Sequence, residues 1–372
     1  MDRTNFKEGF MQEKRDYKGT NFITGLRAIA IFFVFLIHSG GGGLRELGGA
    51  YNLFVDFGKY GVSMFFVISG FTIFHQLFSG NYSLSKFLKI RFSRISIPYF
   101  PIILLIFIYI NMGGQQFNGW ANKFNNGEIS IDNLFAHLLY LASFNLKYAN
   151  TIIGVEWSLH IEILFYFIFG YLIVNQFLKI NFKNLFFSLI LAIFIAAFIH
   201  YLGHINKVDR LLVHWMPFRY AWMFLLGGIG YHYRNVIHLN LTRKTLYQFS
   251  NTAIFLSITC ILFLLNLKEI NGVAFVNEGV FAVLTFILII FVRDGAFFSI
   301  ILNNKFSIWL GTISFSFYLF HYIFIQARFA NYLTNNSASL LIINFILTAL
   351  ISHFWYKFFE VRIYRNFKRY IV

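Results

Sequence analysis

The chain has 372 residues, of which 58% are hydrophobic and only 12% charged, and its mean hydropathy is +0.63; that balance excludes a water-soluble domain of this length and indicates a polytopic membrane protein. The formal net charge of +16 does not make it a nucleic-acid binder, because the cations sit between apolar runs and not along one soluble face. Cys260 is the single cysteine, so an intrachain disulfide, a CxxC pair and a thiolate metal cluster are excluded.

Residues 1–21 are polar and heavily charged, and no convincing small-residue cleavage site follows the next apolar segment, so they read as a cytoplasmic amino-terminal segment before an uncleaved first span. Apolar runs long enough to cross a bilayer lie at 22–39, 61–78, 95–111, 157–174, 185–202, 214–231, 249–267, 274–292, 308–326 and 340–358, about ten in all. A shorter run at 134–146 reads as a re-entrant or interfacial helix. Most of the 31 Lys and Arg residues fall in connections that an inside amino terminus makes cytoplasmic. The expected fold is all-α and polytopic, with about ten transmembrane helices around a central cavity or tunnel and both termini cytoplasmic. A basic cytoplasmic tail is expected at 361–372, and no internal repeat or second domain is legible.

The first span carries Arg27 and His38, eleven residues apart. On a helix that separation is about 1100°, so the two side chains share one face roughly 16 Å apart along the axis. A charge within a span costs about 2.5 kcal/mol or more unless it faces protein or water, which places Arg27, and His38 with it, on an internal cavity. The alternative is that Arg27 snorkels to the interface and His38 lies among headgroups. The second span opens with Gly61 and ends its first motif at Gly70, small residues that let helices approach closely. Residues 85–98 form a basic amphipathic segment in which Arg91 and Arg94 share a face, two planar forks suited to phosphate oxygens or to anionic lipid headgroups.

The fourth span begins Glu156-Trp-Ser-Leu-His-Ile-Glu-Ile-Leu-Phe-Tyr166, and Ser158, Glu162 and Tyr166 follow one another at four-residue spacing as a polar stripe. A carboxylate there needs a partner, with Arg27, Arg219 and His38 as candidates; beside His38 it would orient the ring. His214, Trp215 and Arg219 open the sixth span, and Tyr318 and His321 share a face in the ninth. His137 and the other histidines near span ends read as interfacial. No HExxH, Walker loop or GxSxG occurs.

Taken in order, Gly25-Leu-Arg27 through His38, Gly61 to Phe71, Arg91 with Arg94, Trp157-Ser-Leu-x-x-Glu162 with Phe165 and Tyr166, Tyr318-Leu-Phe-His321 and Glu360 make the chain resemble acyltransferase family 3, integral membrane acyltransferases, over nearly its whole length. Ser63 stands where the family often has aspartate, and Phe320 where it often has tryptophan. The resemblance implies an acyltransferase domain over 22–360 in a bacterial inner membrane. The implied reaction moves an acyl group, usually acetyl, from cytoplasmic acyl-CoA to a hydroxyl of an extracytoplasmic glycan such as O-antigen or exopolysaccharide. It implies His38, Arg27 and Glu162 as catalytic, Arg91, Arg94 and Arg27 as coenzyme-binding, and Trp157, Ser158, Tyr166, Tyr318 and His321 as lining the substrate pocket, with acetyl-CoA as donor and no metal. The competing class is a glycan or lipid-linked-sugar flippase whose histidine and carboxylate relay protons. Paired halves and matching interrupted helices, frequent in transporters, are not visible in the sequence.

Overall fold

Apolar segments in lipid must satisfy their own backbone groups, which a helix does within itself. The computed structural model describes residues 21–79, 83–174, 182–205, 208–266 and 274–371 and is helical throughout, with no strand among those residues. Residues 1–20 of the amino-terminal segment and Val372 of the basic tail lie outside the described residues. The principal helices are α1 Asn21–His38, α2 Gly61–Ser79, α3 Leu84–Asn111, α4 Ile131–Leu138, α5 Trp157–Val174, α6 Phe182–His204, α7 Ala221–Asn240, α8 Arg243–Asn266, α9 Ala274–Phe291, α10 Lys305–Thr312, α11 Ser314–Gln326, α12 Ser337–Phe354 and α13 Val361–Ile371.

Among the described residues, 7 helical segments are long and apolar enough to cross a membrane, or 8 if the bent pair α10 and α11 forms one span. The other expected spans are helical but interrupted or short. The run at 214–231 is broken because Pro217 has no N–H and forces Met216 out of the helical region; a helix Arg210–Trp215 stops there, a 3₁₀ turn Pro217–Arg219 follows, and α7 starts afresh. The apolar part of α9 is only Val276–Phe291. The run at 308–326 bends by 74° between α10 and α11. The run at 340–358 continues past its expected end, through a π-helical turn Trp355–Glu360 into α13. Residues 134–146 contribute the end of the eight-residue α4 and a 3₁₀ turn Ala142–Phe144, far too short to cross.

The first helix sits at the centre. Of its span 61% is buried inside the protein, against 22% for Asn184–His204, whose apolar side chains face outward. Around α1 pack α2, α10, α11 and the short helix Ile300–Asn303. Lipid tails are as apolar as the helices, so close contact here depends on small residues and not on a hydrophobic drive between helices. The α2–α7 crossing shows this. A Cβ on Gly70 would lie 2.1 Å from the Phe224 carbonyl oxygen, and one on Gly227 would lie 2.0 Å from that of Val67.

Both obstacles are backbone atoms that cannot rotate away. Gly227→Ala should therefore lower the thermal unfolding midpoint despite alanine's better helix propensity of about 1 kcal/mol, because prising the helices apart costs typically 1–3 kcal/mol. Thermal unfolding in detergent checks this, and a raised midpoint would contradict the packing.

Candidate active site

Four glycines in succession, Gly40 to Gly43, all adopt positive φ between 59° and 88°, a left-handed run that side chains with a Cβ resist. They turn the chain sharply away at the end of α1 and leave the half-buried His38 ring at the helix tip. Its Nδ1 lies 3.0 Å from Nε2 of the fully buried His321 on α11, and its edge meets the ring of Tyr322 at a centroid distance of 5.2 Å.

The proton positions in this pair follow from chemistry. His321 Nδ1 is 2.6 Å from the Tyr318 carbonyl oxygen, and a carbonyl can only accept, so Nδ1 carries the hydrogen. In the neutral ring Nε2 then holds a lone pair, which accepts from His38 Nδ1–H. What remains on His38 is Nε2 with its lone pair outward, the tautomer a proton acceptor or nucleophile needs.

Tyr318 anchors this arrangement. Its hydroxyl donates to the Val155 carbonyl and lies 2.8 Å from Ser158 Oγ, which donates to it in turn. Ser158, Tyr318 and His321, expected in the substrate pocket, are thus buried with their polar atoms bound to protein; they tie α11 to the start of α5 and hold His38.

The carboxylate expected beside His38 is elsewhere. Glu162 Oε1 accepts from Ser69 Oγ at 2.7 Å and from the Tyr166 hydroxyl, and His321 occupies the position at His38 Nδ1. The difference arises because Glu162 lies about 7 Å deeper along α5 than Trp157. Tyr166 is also buried, and the Arg91 guanidinium lies over its ring at 5.4 Å.

Arg91 and Arg94 separate as well. Arg91 is 5% exposed; its Nε donates to Gln76 Oε1 at 2.6 Å and one terminal nitrogen to the Thr72 carbonyl at 2.7 Å. That fork is occupied in joining α3 to α2. Arg94 is exposed, on the side of Glu360, whose carboxylate accepts from Ser316 Oγ at 2.8 Å. A three-residue spacing leaves a helical offset of about 60°, enough at this packing boundary to bury one arginine and expose the other. Arg27 is half-buried on α1.

The partners of Glu156 and of Arg219 escaped the reading of the sequence. Glu156 is fully buried, and its carboxylate accepts from the N–H groups of Ile152, Ile153, Gly154 and Val155 at 2.6–3.1 Å and from His137 Nε2 at 2.9 Å. Burial alone pushes this carboxyl up, but the His137 ring and the backbone N–H groups outweigh it and hold it down at about 2. His137, expected at the interface, is fully buried as the partner of Glu156. This knot fixes the loop that carries Val155 and hence Tyr318. A second group joins α5 to α7 and α9: Trp157 packs on His214 and Tyr220 at 5.0 and 5.6 Å, beside a buried Arg219–Glu278 ion pair. Isolated polar residues entering apolar runs were the visible signal in both; their pairing was not. Among the described residues, no group of three or more His, Cys, Asp or Glu is placed to hold a metal ion.

The chain is thus a multi-pass helical membrane protein that seats a histidine, its proton position set by His321, at one end of its central helix. A family model described as an acyltransferase domain matches residues 20–359, and the chain belongs to that family, acyltransferase family 3. Among curated proteins nothing matches, and among solved structures nothing does.

Proposed function

We propose that the protein is a transmembrane O-acetyltransferase of a bacterial inner membrane that carries acetyl from cytoplasmic acetyl-CoA to a hydroxyl of an extracytoplasmic glycan such as O-antigen or exopolysaccharide. The observation that carries this reading is the His38–His321–Tyr318 chain, which leaves His38 Nε2 as a free base at a helix tip. The excess of Lys and Arg near Arg94 and the α13 tail supports a cytoplasmic assignment for that face. His38 then faces outward, with both termini inside and the ten-span count retained.

In the proposed step, His38 Nε2 takes the proton of the acceptor hydroxyl as its oxygen attacks the thioester carbonyl carbon. The C–S bond breaks, the imidazolium returns its proton to the coenzyme sulfur, and the products are the acetyl ester and free coenzyme thiol. Hydrogen bonding to His321 holds the imidazole in the orientation this requires. Arg27 lines the donor's path, and Arg94 meets its phosphates as an exposed, always charged fork. Glu162, with Ser69 and Tyr166, forms the polar wall between them. Trp157 offers an indole face to the acceptor.

Purified protein given radiolabelled acetyl-CoA and an isolated surface polysaccharide should form an alkali-labile ester on the glycan. Label reaching neither glycan nor protein, with the fold intact, would reject the reading in favour of transport. The two arginines give a further test. Arg94→Ala should raise the donor KM about tenfold, the loss of a charge-assisted contact, with a smaller change in unfolding midpoint than Arg91→Ala, because Arg94 is exposed. Arg91→Ala should instead lower the midpoint, because it leaves the Thr72 carbonyl and Gln76 with unmet hydrogen bonds, worth about 1–3 kcal/mol. Donor titrations alongside thermal scans separate these outcomes, and equal effects on donor binding from both variants would contradict the division of roles.

A further inference from the structure

The buried Arg219–Glu278 pair has no part in the chemistry above. An arginine and a carboxylate frequently close with two parallel hydrogen bonds. Here a single one forms, Arg219 Nη2 to Glu278 Oε1 at 2.7 Å, and the other terminal nitrogen is turned to His214 Nδ1 at 3.4 Å. Arg219 Nε and Glu278 Oε2 are buried with no hydrogen-bond partner. A guanidinium only donates, so His214 Nδ1 holds a lone pair and the ring's hydrogen is on Nε2. His214 is therefore the opposite tautomer to His38, which bears its hydrogen on Nδ1. The ring is half-buried, lies against the half-buried Trp157 indole at 5.0 Å, and its backbone carbonyl is held by the Tyr220 hydroxyl at 2.7 Å. Trp157 precedes Ser158, which bonds Tyr318, one turn from His321 and thus from His38.

We infer that His214 is a neutral hydrogen-bond donor which, with the Trp157 indole face, forms a subsite for an uncharged pyranose of the acceptor, its tautomer set by Arg219 and Glu278. This deepens the acyltransferase reading and rests on it for the location of the acceptor. A sugar ring offers a C–H face to an aromatic plane and hydroxyl or ring oxygens to a donor at its edge. The opposite charges of Arg219 and Glu278 compensate, and Lys59, a further cation whose field reaches His214 and Glu278, is exposed and screened by solvent, so the site gives an acidic sugar little advantage. Arg219 and Glu278 are positioning residues.

The test uses the full chain in nanodiscs and a panel of p-nitrophenyl hexopyranosides, gluco, galacto and manno, with the glucuronide for comparison, read by quenching of tryptophan fluorescence. At least one neutral glycoside should bind, and the glucuronide should bind no more tightly. His214→Phe keeps the ring against Trp157 but removes the donor, and should weaken binding about five- to tenfold, the loss of one neutral hydrogen bond. His214→Gln, which retains an N–H, should recover part of it, while acetyl-CoA affinity stays unchanged in both. Glu278→Gln should weaken glycoside binding two- to threefold through the loosened Arg219. If no pyranoside quenches the folded wild type, or if His214→Phe binds as wild type does and keeps the acceptor KM, the inference is overturned. If glycosides bind in a His214-dependent way and no acetyl transfer is ever detected, the subsite stands and the acetyltransferase reading falls.

Discussion

Replacing His38 by alanine should lower acetyl transfer by about 10²- to 10⁴-fold, the range of a positioned general base, while donor affinity stays near wild type and the unfolding midpoint falls modestly, because the buried His321 Nε2 loses its donor, a cost of about 1–3 kcal/mol. The ring is at a helix tip and half-buried, so its loss removes little packing, and the proposed donor contacts are on α3 and deeper on α1. His321→Ala should fall between wild type and His38→Ala, because it takes away the acceptor that holds the His38 tautomer but not the base itself. Initial rates against acetyl-CoA and glycan, with radiolabelled product isolated, measure both. The division between the histidines fails if His321→Ala is as inactive as His38→Ala while binding the donor normally, or if His38→Ala retains activity within a few-fold of wild type.

The largest effect on stability is expected at Glu156. With glutamine there, an amide NH₂ must face N–H groups that now point at a carboxylate oxygen, and His137 loses its charged partner; removing one member of so buried a pair costs roughly 3–5 kcal/mol. Wild type should show the same interaction through pH. The native carboxyl titrates at about 2 against an ordinary value of 4.5. The unfolded chain therefore takes up the proton first on acidification. The stabilisation is complete above about pH 4.5 and is lost as pH falls towards 2, amounting to about 3 kcal/mol from the shift. Glu156→Gln should lack that acid-sensitive portion. Unfolding midpoints of both proteins from pH 7 down to pH 3 provide the comparison, and parallel acid profiles would show that the loop is held by something other than this carboxylate. Because Val155 accepts from the Tyr318 hydroxyl, the variant should also lose part of its acetyl transfer at temperatures where it remains folded.

Much of this protein was determined by the order of its residues alone. Runs of about 18 apolar residues have to be helices in lipid because nothing else satisfies their backbone, and the motifs at Arg27, His38, Trp157, Glu162, Tyr318 and His321 suffice to place the chain in its family. Pro217 also ends a helix inside a run that reads as continuous by hydropathy, whereas Pro98 and Pro101 stay within α3, so a proline alone did not fix where a span breaks. The tertiary structure decided which polar atoms meet. Periodicity says that Arg91 and Arg94 share a face, and that Ser158, Glu162 and Tyr166 form a stripe, but it does not say how far each helix is rotated or how deep it sits against its neighbours. Small shifts in either quantity bury Arg91 and expose Arg94, hand Glu162 to Ser69 and Tyr166, and bring His321 from 283 positions away to the nitrogen of His38. Hydrogen bonds act over about 3 Å, whereas the spacing of residues along a chain constrains only neighbours on the same helix.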